Sequence, residues 1–118
     1  MANLRMCRPD RAYTIRIASG FFARARGLLA TRKLPPGQGL LLLPCAAIHS
    51  LGMVYPIDLA FIGRDGLVLA TRGGFRPWRA ARCAGARAVL ELPAGSLASA
   101  RIVRGERLAE LAALLEGR

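Results

Sequence analysis

The sequence predicts a single α+β domain in which a mostly antiparallel β-sheet carries two to three short helices. Three observations predict this class. Apolar and polar residues alternate with a period of two in several short segments, which is typical of half-buried strands. Two other segments repeat apolar residues at helical spacing. The chain has 118 residues and is 53% hydrophobic, so it is long enough to bury a core of its own.

The first third of the chain predicts a strand, a helix and a second strand. Residues 11–18 alternate as a strand does, with Tyr13 and Ile17 on one face. Apolar residues recur at helical spacing through residues 21–33, after a serine that can act as an N-cap. A Pro- and Gly-rich breaker then precedes the short apolar run 40–43, which predicts a buried strand.

The middle of the chain predicts a β-hairpin followed by a long loop. Residues 57–62 alternate as a strand, and Asp65-Gly66 separates them from the apolar run 67–71. An Asp-Gly pair between two such runs is a strong hairpin signal. Residues 72–85 contain two adjacent glycines, a Pro-Trp pair and several arginines, so we expect a long exposed loop there.

The last third predicts a strand and one or two helical segments. Residues 86–93 form a strand that a proline ends, and residues 96–100 can make one helical turn. Leucines and an alanine share one face of a predicted C-terminal helix, about residues 106–116. We find no internal repeat and no linker, so residues 1–118 are predicted to be one domain.

The charge of the chain favours an anionic partner. The formal net charge is +11, and all but one of the basic residues are arginines, whose planar guanidinium groups suit phosphate and carboxylate. An anionic small molecule or an anionic surface is therefore the expected partner. Nucleic-acid binding is the weaker alternative, because the arginines are scattered and no nucleic-acid-binding motif accompanies them. No apolar run reaches the length of a membrane span or of a signal peptide, so we expect a cytoplasmic protein.

The three cysteines predict neither a disulfide framework nor a structural metal site. Cys7, Cys45 and Cys83 are far apart in the sequence and form no C-x-x-C pair. A structural zinc site needs four ligands at short paired spacings. We therefore expect reduced thiols and predict no metal and no other cofactor.

Several motifs together resemble the domain of unknown function 192 family, over about residues 12–107. They are Arg24-x-x-Gly27-Leu28-Leu29-x-x-Arg32, Gly39-Leu40-Leu41-Leu42, Met53-x-x-Pro56-Ile57-Asp58-Leu59-x-Phe61-Ile62-x-x-Asp65-Gly66 and Ala88-Val89-Leu90-Glu91-Leu92-x-Ala94-Gly95. The resemblance implies a compact α+β domain with a curled, barrel-like sheet, and it implies no agreed activity. The chain departs from the family where residues 49–53, His-Ser-Leu-Gly-Met, replace an aromatic-Met-Lys-Asn run.

Residues 44–58 concentrate most of the residues that can do chemistry, including the single histidine of the chain. Our leading hypothesis is a non-enzymatic binding domain with a groove between the first predicted helix and the His49–Asp58 segment. Arginines at the rim of that groove favour an anionic ligand. The candidate ligand-binding residues are Arg24, Arg32, His49, Met53 and Asp58.

A cysteine-dependent enzyme that uses Cys45, His49 and Asp58 is the main alternative. The four-residue spacing of Cys45 and His49 brings them within about 6 Å on a helix, but it separates them by about 13 Å along a strand. Only the helical geometry allows a thiolate–imidazole pair. The simpler interpretation is structural, with a buried thiol, a hydrogen-bonded histidine and a buried carboxylate at Asp58. We therefore favour a domain without enzymatic activity.

Overall fold

A six-stranded mixed β-sheet forms the centre of the protein. A computed structural model describes residues 3–19, 34–43, 47–49, 55–76 and 80–115, with the backbone alone for Ser19 and residues 47–49. The strands are β1 (Asn3–Cys7), β2 (Ala12–Ser19), β3 (Gln38–Leu43), β4 (Ala47–His49), β5 (Ile57–Ile62), β6 (Val68–Phe75), β7 (Ala80–Arg82) and β8 (Ala88–Pro93). The described helices are α1 (Ser96–Ser99) and α2 (Ala109–Leu115).

The order of the strands in the sheet is β1-β2-β3-β8-β5-β6. β2 and β3 are parallel, and the other four pairs of neighbouring strands are antiparallel. The last strand of the sequence, β8, therefore lies at the centre, between β3 and β5. β4 and β7 form a separate antiparallel ribbon of two strands. The α+β class and the mostly antiparallel sheet are confirmed.

The predicted barrel-like closure of the sheet is not supported, because the described strands form an open sheet that ends at β1 and β6. Both end strands bond to the C-terminal part of the chain instead of to each other. The Val68 N–H of β6 donates to the Glu106 carbonyl over 2.8 Å, and the Cys7 N–H of β1 donates to the Glu110 carboxylate over 3.2 Å. These contacts protect the edges of the sheet without closing it.

Most of the other elements predicted from the sequence agree with the fold. The strands predicted at 11–18, 40–43, 57–62, 67–71 and 86–93, the turn at 96–100 and the C-terminal helix all have counterparts. β1 and β4 were not predicted. The predicted loop at 72–85 is partly wrong, because β6 continues to Phe75 and β7 occupies Ala80–Arg82. The helix predicted at 21–33 lies outside the described residues.

The Asp-Gly hairpin between β5 and β6 has a loop of three residues. The Gly66 N–H donates to the Gly63 carbonyl over 3.1 Å, and the Gly63 N–H donates to the Leu67 carbonyl over 2.8 Å. Gly66 has φ of 77°, which a type I turn followed by a left-handed residue requires. A Cβ atom on Gly66 would lie 2.6 Å from the Leu108 carbonyl oxygen, so the turn also needs glycine for its close contact with the segment before α2.

Gly39 is part of β3 and not of the preceding breaker. Neighbouring side chains leave no room there for a Cβ atom. A Cβ atom at this position would lie 2.8 Å from the Ile15 Cδ1 and 2.8 Å from the Leu92 Cδ2. These side chains come from β2 and β8, and both belong to the core. The glycine thus lets two apolar side chains meet over the strand.

The two faces of the sheet carry different apolar clusters. The first face packs against α1 and α2, and its cluster includes Met6, Tyr13, Ile15, Leu41, Leu43, Ala60, Ile62, Leu90, Leu92, Leu108, Leu111 and Leu115. The second face carries the cluster of Ala18, Leu40, Leu42, Ile57, Leu59, Phe61, Ala86 and Val89. Each large aliphatic side chain buried in either cluster stabilises the fold by about 1.5–3 kcal/mol.

A partly buried ion pair connects the start of the chain to the segment between the two helices. The Arg8 Nη2 lies 3.0 Å from the Glu106 carboxylate, and its Nε donates to the Ala100 carbonyl over 3.0 Å. The Glu106 carboxylate also accepts the Val103 N–H over 3.1 Å. Among the described residues no helix has the length and the apolar composition that crossing a membrane requires.

Candidate functional site

Two carboxyl groups are buried on neighbouring strands of the sheet. Asp58 lies on β5 and is 2% exposed, and Glu91 lies on β8 and is 0% exposed. Asp58 pairs with Leu92, a member of the first cluster, whereas Glu91 pairs with Leu59, a member of the second cluster. Paired residues of neighbouring strands point to the same face. The two carboxyl groups therefore point to opposite faces of the sheet.

The Asp58 carboxylate is bonded through both oxygens to backbone amides. Its Oδ1 accepts the Gly74 N–H over 2.8 Å, and its Oδ2 accepts the Leu97 N–H over 2.8 Å. The first bond follows from an irregularity in the register of β5 and β6, where Ile57 pairs with Phe75 but Leu59 pairs with Arg72. The second bond takes up a free N–H at the start of α1. Asp58 thus fixes α1 and β6 to β5.

Glu91 contrasts with Asp58, because neither of its carboxylate oxygens has a hydrogen-bond partner within the described part of the chain. Leu40 of β3 and Leu59 of β5 are its partners across the sheet, so apolar side chains flank the carboxyl group on both sides. Burial raises the pKa of Glu91 to about 8. The group is therefore a neutral carboxylic acid at pH 7, able to donate one hydrogen bond and to accept others.

Tyr55 is the polar neighbour of Glu91 on the second face. Its side chain is partly buried and packs against the second cluster. The pKa of Tyr55 is raised by burial and also by the charge that Glu91 carries when it is ionised. The electrostatic interaction and the packing of Tyr55 against the second cluster place the two residues in the same region of the second face.

Glu91 lies in a row of paired residues that crosses the sheet on its second face from Asn3 of β1 to Arg72 of β6. After Asn3, the row continues through Arg16, Leu40, Glu91, Leu59 and Arg72, on strands β2, β3, β8, β5 and β6, so Glu91 has a leucine and then an arginine on each side. Both arginines are exposed. Neighbouring strands lie about 4.8 Å apart, so each arginine Cα is about 10 Å from that of Glu91. We refer to the five residues from Arg16 to Arg72 as the Glu91 row.

The structure separates Asp58 from the other described part of the predicted groove. The backbone of His49 pairs with Ala80 in the β4–β7 ribbon. That ribbon belongs to the second face, because Ala81 of β7 packs against the second cluster. The Asp58 carboxylate points to the first face. The other predicted site residues, Arg24, Arg32, Cys45 and Met53, lie outside the described residues, as does the side chain of His49.

Glu91 was not among the site residues that the sequence predicted, although the sequence contains a signal for it. The strand predicted at 86–93 contains two charged residues, Arg87 next to its start and Glu91 in its interior. The other positions of that strand are apolar, so both faces of its interior are expected to be buried. A charged residue inside such a strand has to be either paired or neutral. That argument identifies Glu91 as a candidate, but it does not tell which of the two states applies.

The described cysteines and acids do not form a metal centre. Cys7 is exposed and Cys83 is partly exposed, and both are free thiols. Nowhere in the described ranges do three His, Cys, Asp or Glu side chains come together as metal ligands. The side chains near Glu91 instead supply hydrogen-bonding groups, positive charge and apolar contacts, and these properties suit the binding of a small organic molecule.

Comparison with solved structures shows the same fold in two bacterial proteins. One is a protein of unknown function from Novosphingobium aromaticivorans DSM 12444, with 23% identity, a TM-score of 0.74, and coverage of 90% of this chain and 82% of that chain. The other is a "putative transcription regulator" from Sinorhizobium meliloti 1021, with 22% identity, a TM-score of 0.75, and coverage of 89% of each chain. At these identities the similarity concerns the fold alone.

Comparison with curated proteins gave no match. The family model of domain of unknown function 192, described as "Uncharacterized ACR", matches residues 4–109, which is most of the chain. This match agrees with the motifs of the sequence and with the shared fold. The chain belongs to the domain of unknown function 192 family.

Proposed function

We propose that this protein is a small ligand-binding domain whose ligand contacts Glu91 on the second face of the sheet. The observation that carries the proposal is the lack of hydrogen-bond partners for both Glu91 oxygens in the described part of the chain. A bound molecule with hydrogen-bond donors would supply them.

The energetic cost of Glu91 supports a binding role over a structural one. A buried polar group without a partner costs about 1–3 kcal/mol, and a charged group costs more. Asp58 illustrates the structural alternative, because two backbone amides meet its two oxygens. At position 91 a leucine would fill the same place among Leu40 and Leu59 without that cost. A buried carboxyl group without hydrogen-bond partners at the centre of a sheet is therefore better explained by a function than by a contribution to folding.

An anionic group on the ligand, as predicted from the sequence, is part of this proposal, but we place it at the second face of the sheet. Arg16 and Arg72 lie at the two ends of the described Glu91 row and are exposed. Together with the net charge of +11, they favour a ligand with a carboxylate or phosphate group at the edge of the second face. A groove that also includes Arg24, Arg32, His49 and Met53 remains a hypothesis.

The cysteine-dependent enzyme has less support than the binding domain. The Asp58 carboxylate is occupied by two backbone amides and points to the first face, so it is not available to orient a histidine on the second face. A reactive pair of Cys45 and His49 remains a separate hypothesis. It predicts that Cys45 is alkylated at pH 6 faster than the exposed Cys7. Equal rates for the two cysteines would reject it.

A fragment screen by NMR tests the proposed function. At 12.6 kDa the protein is suited to amide spectra, and we expect at least one class of fragments to shift the amide signals of β3, β5 and β8. Glu91→Gln should weaken that binding at least tenfold. Glu110→Gln, the same substitution on α2, should leave it unchanged. Fragments that shift only other amides, or that bind the Glu91→Gln variant equally well, would refute the proposal.

A further inference from the structure

On the basis of the proposed function, we infer that the ligand is a small zwitterion whose amine binds Glu91 and whose acidic group binds Arg16 or Arg72. Amino acids with their charged groups a few bonds apart belong to this class. The inference combines three properties of the Glu91 row: its central carboxyl group, its neighbouring aromatic ring and its two terminal arginines.

The centre of the row selects a hydrogen-bond donor with positive charge. Glu91 offers two oxygens without partners in the described chain, and a protonated amine offers three donors in a compact group. Tyr55 adds an aromatic ring, whose face attracts an ammonium group by about 0.5–2 kcal/mol. Leu40 and Leu59 keep water away from the carboxyl group, which strengthens an ion pair formed there.

The ends of the row select an anionic group. Arg16 and Arg72 each lie two strands from Glu91, a separation of about 10 Å between Cα atoms. An arginine side chain that extends back along the row can bring its guanidinium within a few ångströms of a group bound at Glu91. The Nη1 of Arg72 donates to the Thr71 carbonyl over 3.0 Å, which leaves its other donors available for a carboxylate.

Neither a simple cation nor a simple anion fits the whole row. A simple cation would be repelled by the two arginines and by a net charge of +11. A simple anion can accept the single O–H of the neutral Glu91 acid, but it would leave the carbonyl oxygen of that group without a donor, and it would be repelled whenever Glu91 is ionised. A zwitterion avoids both costs, because each of its charges meets the opposite charge on the protein.

Binding of an amine should release one proton. The carboxylic acid of Glu91 gives its proton to the solvent, and the carboxylate that remains pairs with the ammonium group, which keeps all of its own protons. Since the pKa of Glu91 is about 8 in the free protein, affinity should increase about tenfold for each unit by which the pH rises toward 8, and it should be constant above that value.

Isothermal titration calorimetry with chosen probes tests the inference. The zwitterions are glycine, β-alanine, γ-aminobutyrate and ε-aminocaproate, and the single-charge controls are butylammonium and butyrate. We expect at least one zwitterion to bind tenfold more tightly than either control. Glu91→Gln should weaken it at least tenfold, and Arg16→Gln or Arg72→Gln about three- to tenfold. Arg64→Gln, which removes an exposed arginine from the hairpin turn, should have no effect.

The proton release is measured at pH 6.5 in two buffers with different ionisation enthalpies. Among the described residues, charged or titratable groups near the second face include Tyr55, Arg16, Arg72 and Cys83, and the backbone of His49 lies on β4 at that face. The pH profile is therefore recorded with the variants Cys83→Ser and His49→Gln as well. If these variants keep the profile of the unmodified protein, and release is about one proton, the inference is supported.

Two different results would overturn the inference, and they have different meanings for the proposed function. If butyrate or butylammonium binds at least as tightly as every zwitterion, and Glu91→Gln abolishes that binding, the ligand class is wrong but the binding site stands. If no probe binds, and the fragment screen also finds no ligand at β3, β5 and β8, both the inference and the proposed function are wrong.

Discussion

Asp58 and Glu91 show how differently one sheet can treat two buried carboxyl groups. They lie on the paired strands β5 and β8, one register position apart. Asp58 has a backbone N–H on each oxygen, whereas Glu91 has no partner among the described residues. The first group connects a helix and a neighbouring strand to the sheet. The second group connects nothing and raises the free energy of the folded state when it ionises.

The difference indicates which of the two groups serves the fold and which is available for binding. A buried acid that bonds to backbone amides gains about 1.5–3 kcal/mol from each bond and stays fixed. A buried acid without donors keeps its proton and stays ready for a ligand that supplies them. The first face of the sheet, with both described helices, is therefore the structural side, and the second face is the side of the proposed site. Four predictions test this difference between the two faces.

The largest expected effect is that of Asp58→Ala. The substitution removes the two hydrogen bonds that the Gly74 and Leu97 N–H groups donate to the carboxylate, so we expect a loss of about 3–5 kcal/mol in the free energy of unfolding. Asp58→Asn, which keeps one acceptor oxygen, should lose about half as much. Chemical denaturation measures both. A loss below about 1 kcal/mol for the alanine variant would show that Asp58 is not the structural acid of the pair.

Glu91→Gln should have the opposite sign and should depend on pH. The folded-state pKa of Glu91 is about 8, above the value of 4.5 for a free side chain. The unfolded chain therefore loses this proton first, so the contribution of Glu91 to stability is most favourable below pH 4.5 and becomes less favourable as the pH rises to about 8. Glutamine does not titrate. We expect the variant to be more stable than the unmodified protein at pH 8.5, by on the order of 3 kcal/mol.

Denaturation curves at pH 5 and pH 8.5 test this prediction, with Glu110→Gln as the matched control. The control should show the same pH dependence as the unmodified protein. If Glu91→Gln is instead less stable at both pH values, Glu91 has a partner in the folded protein, and the contrast with Asp58 disappears.

Glu106 is an intermediate case between the two acids, and a smaller effect is expected there. Its carboxylate pairs with Arg8 and accepts the Val103 N–H, and its side chain is 25% exposed. Because water screens the ion pair, Glu106→Gln should destabilise the protein by only about 1 kcal/mol. The effect should diminish in 1 M salt. A loss as large as that of Asp58→Ala would mean that the solvent exposure of these carboxyl groups does not determine how much each contributes to stability.

The smallest effect is expected at the C-terminal end of α1, the helix whose first turn is bonded to Asp58. Arg101 has φ of 54°, a left-handed conformation that costs a non-glycine residue about 1–2 kcal/mol. It ends α1 in a Schellman turn, in which the Ile102 N–H donates to the Leu97 carbonyl over 2.9 Å. Arg101→Gly should stabilise the protein by about 0.5–1 kcal/mol, measured by thermal unfolding. An unchanged or lower stability would show that contacts of Arg101 offset the strain.

Much of the fold could be predicted from local patterns in the sequence. Alternation predicted β2 and β5, the apolar segment that ends at Pro93 predicted β8, and the Asp-Gly pair predicted the β5–β6 hairpin. These features depend on neighbouring residues alone, because the side chains of a strand alternate between its faces and a tight turn needs glycine at one position. Local patterns failed at the adjacent glycines 73 and 74. There β6 continues through an irregular register, which depends on its pairing with β5.

The candidate site could also be predicted only in part from the sequence. The sequence singled out Asp58 as a buried carboxylate that needs donors, and it also contained the unusual position of Glu91. It did not reveal that amides from residues 74 and 97 would meet the first group while leucines would flank the second. Those neighbours come from strands and a helix that are distant in the chain.

Local patterns were sufficient to assign the faces of strands such as β2 and β5, the position of the main turns and the positive charge of the protein. The insertion of β8 between β3 and β5 places Glu91 between two leucines and aligns it with Arg16 and Arg72, and it could not be predicted in this way. Side-chain alternation is a property of one strand, whereas the partners of a strand depend on which distant segments bury their apolar faces together.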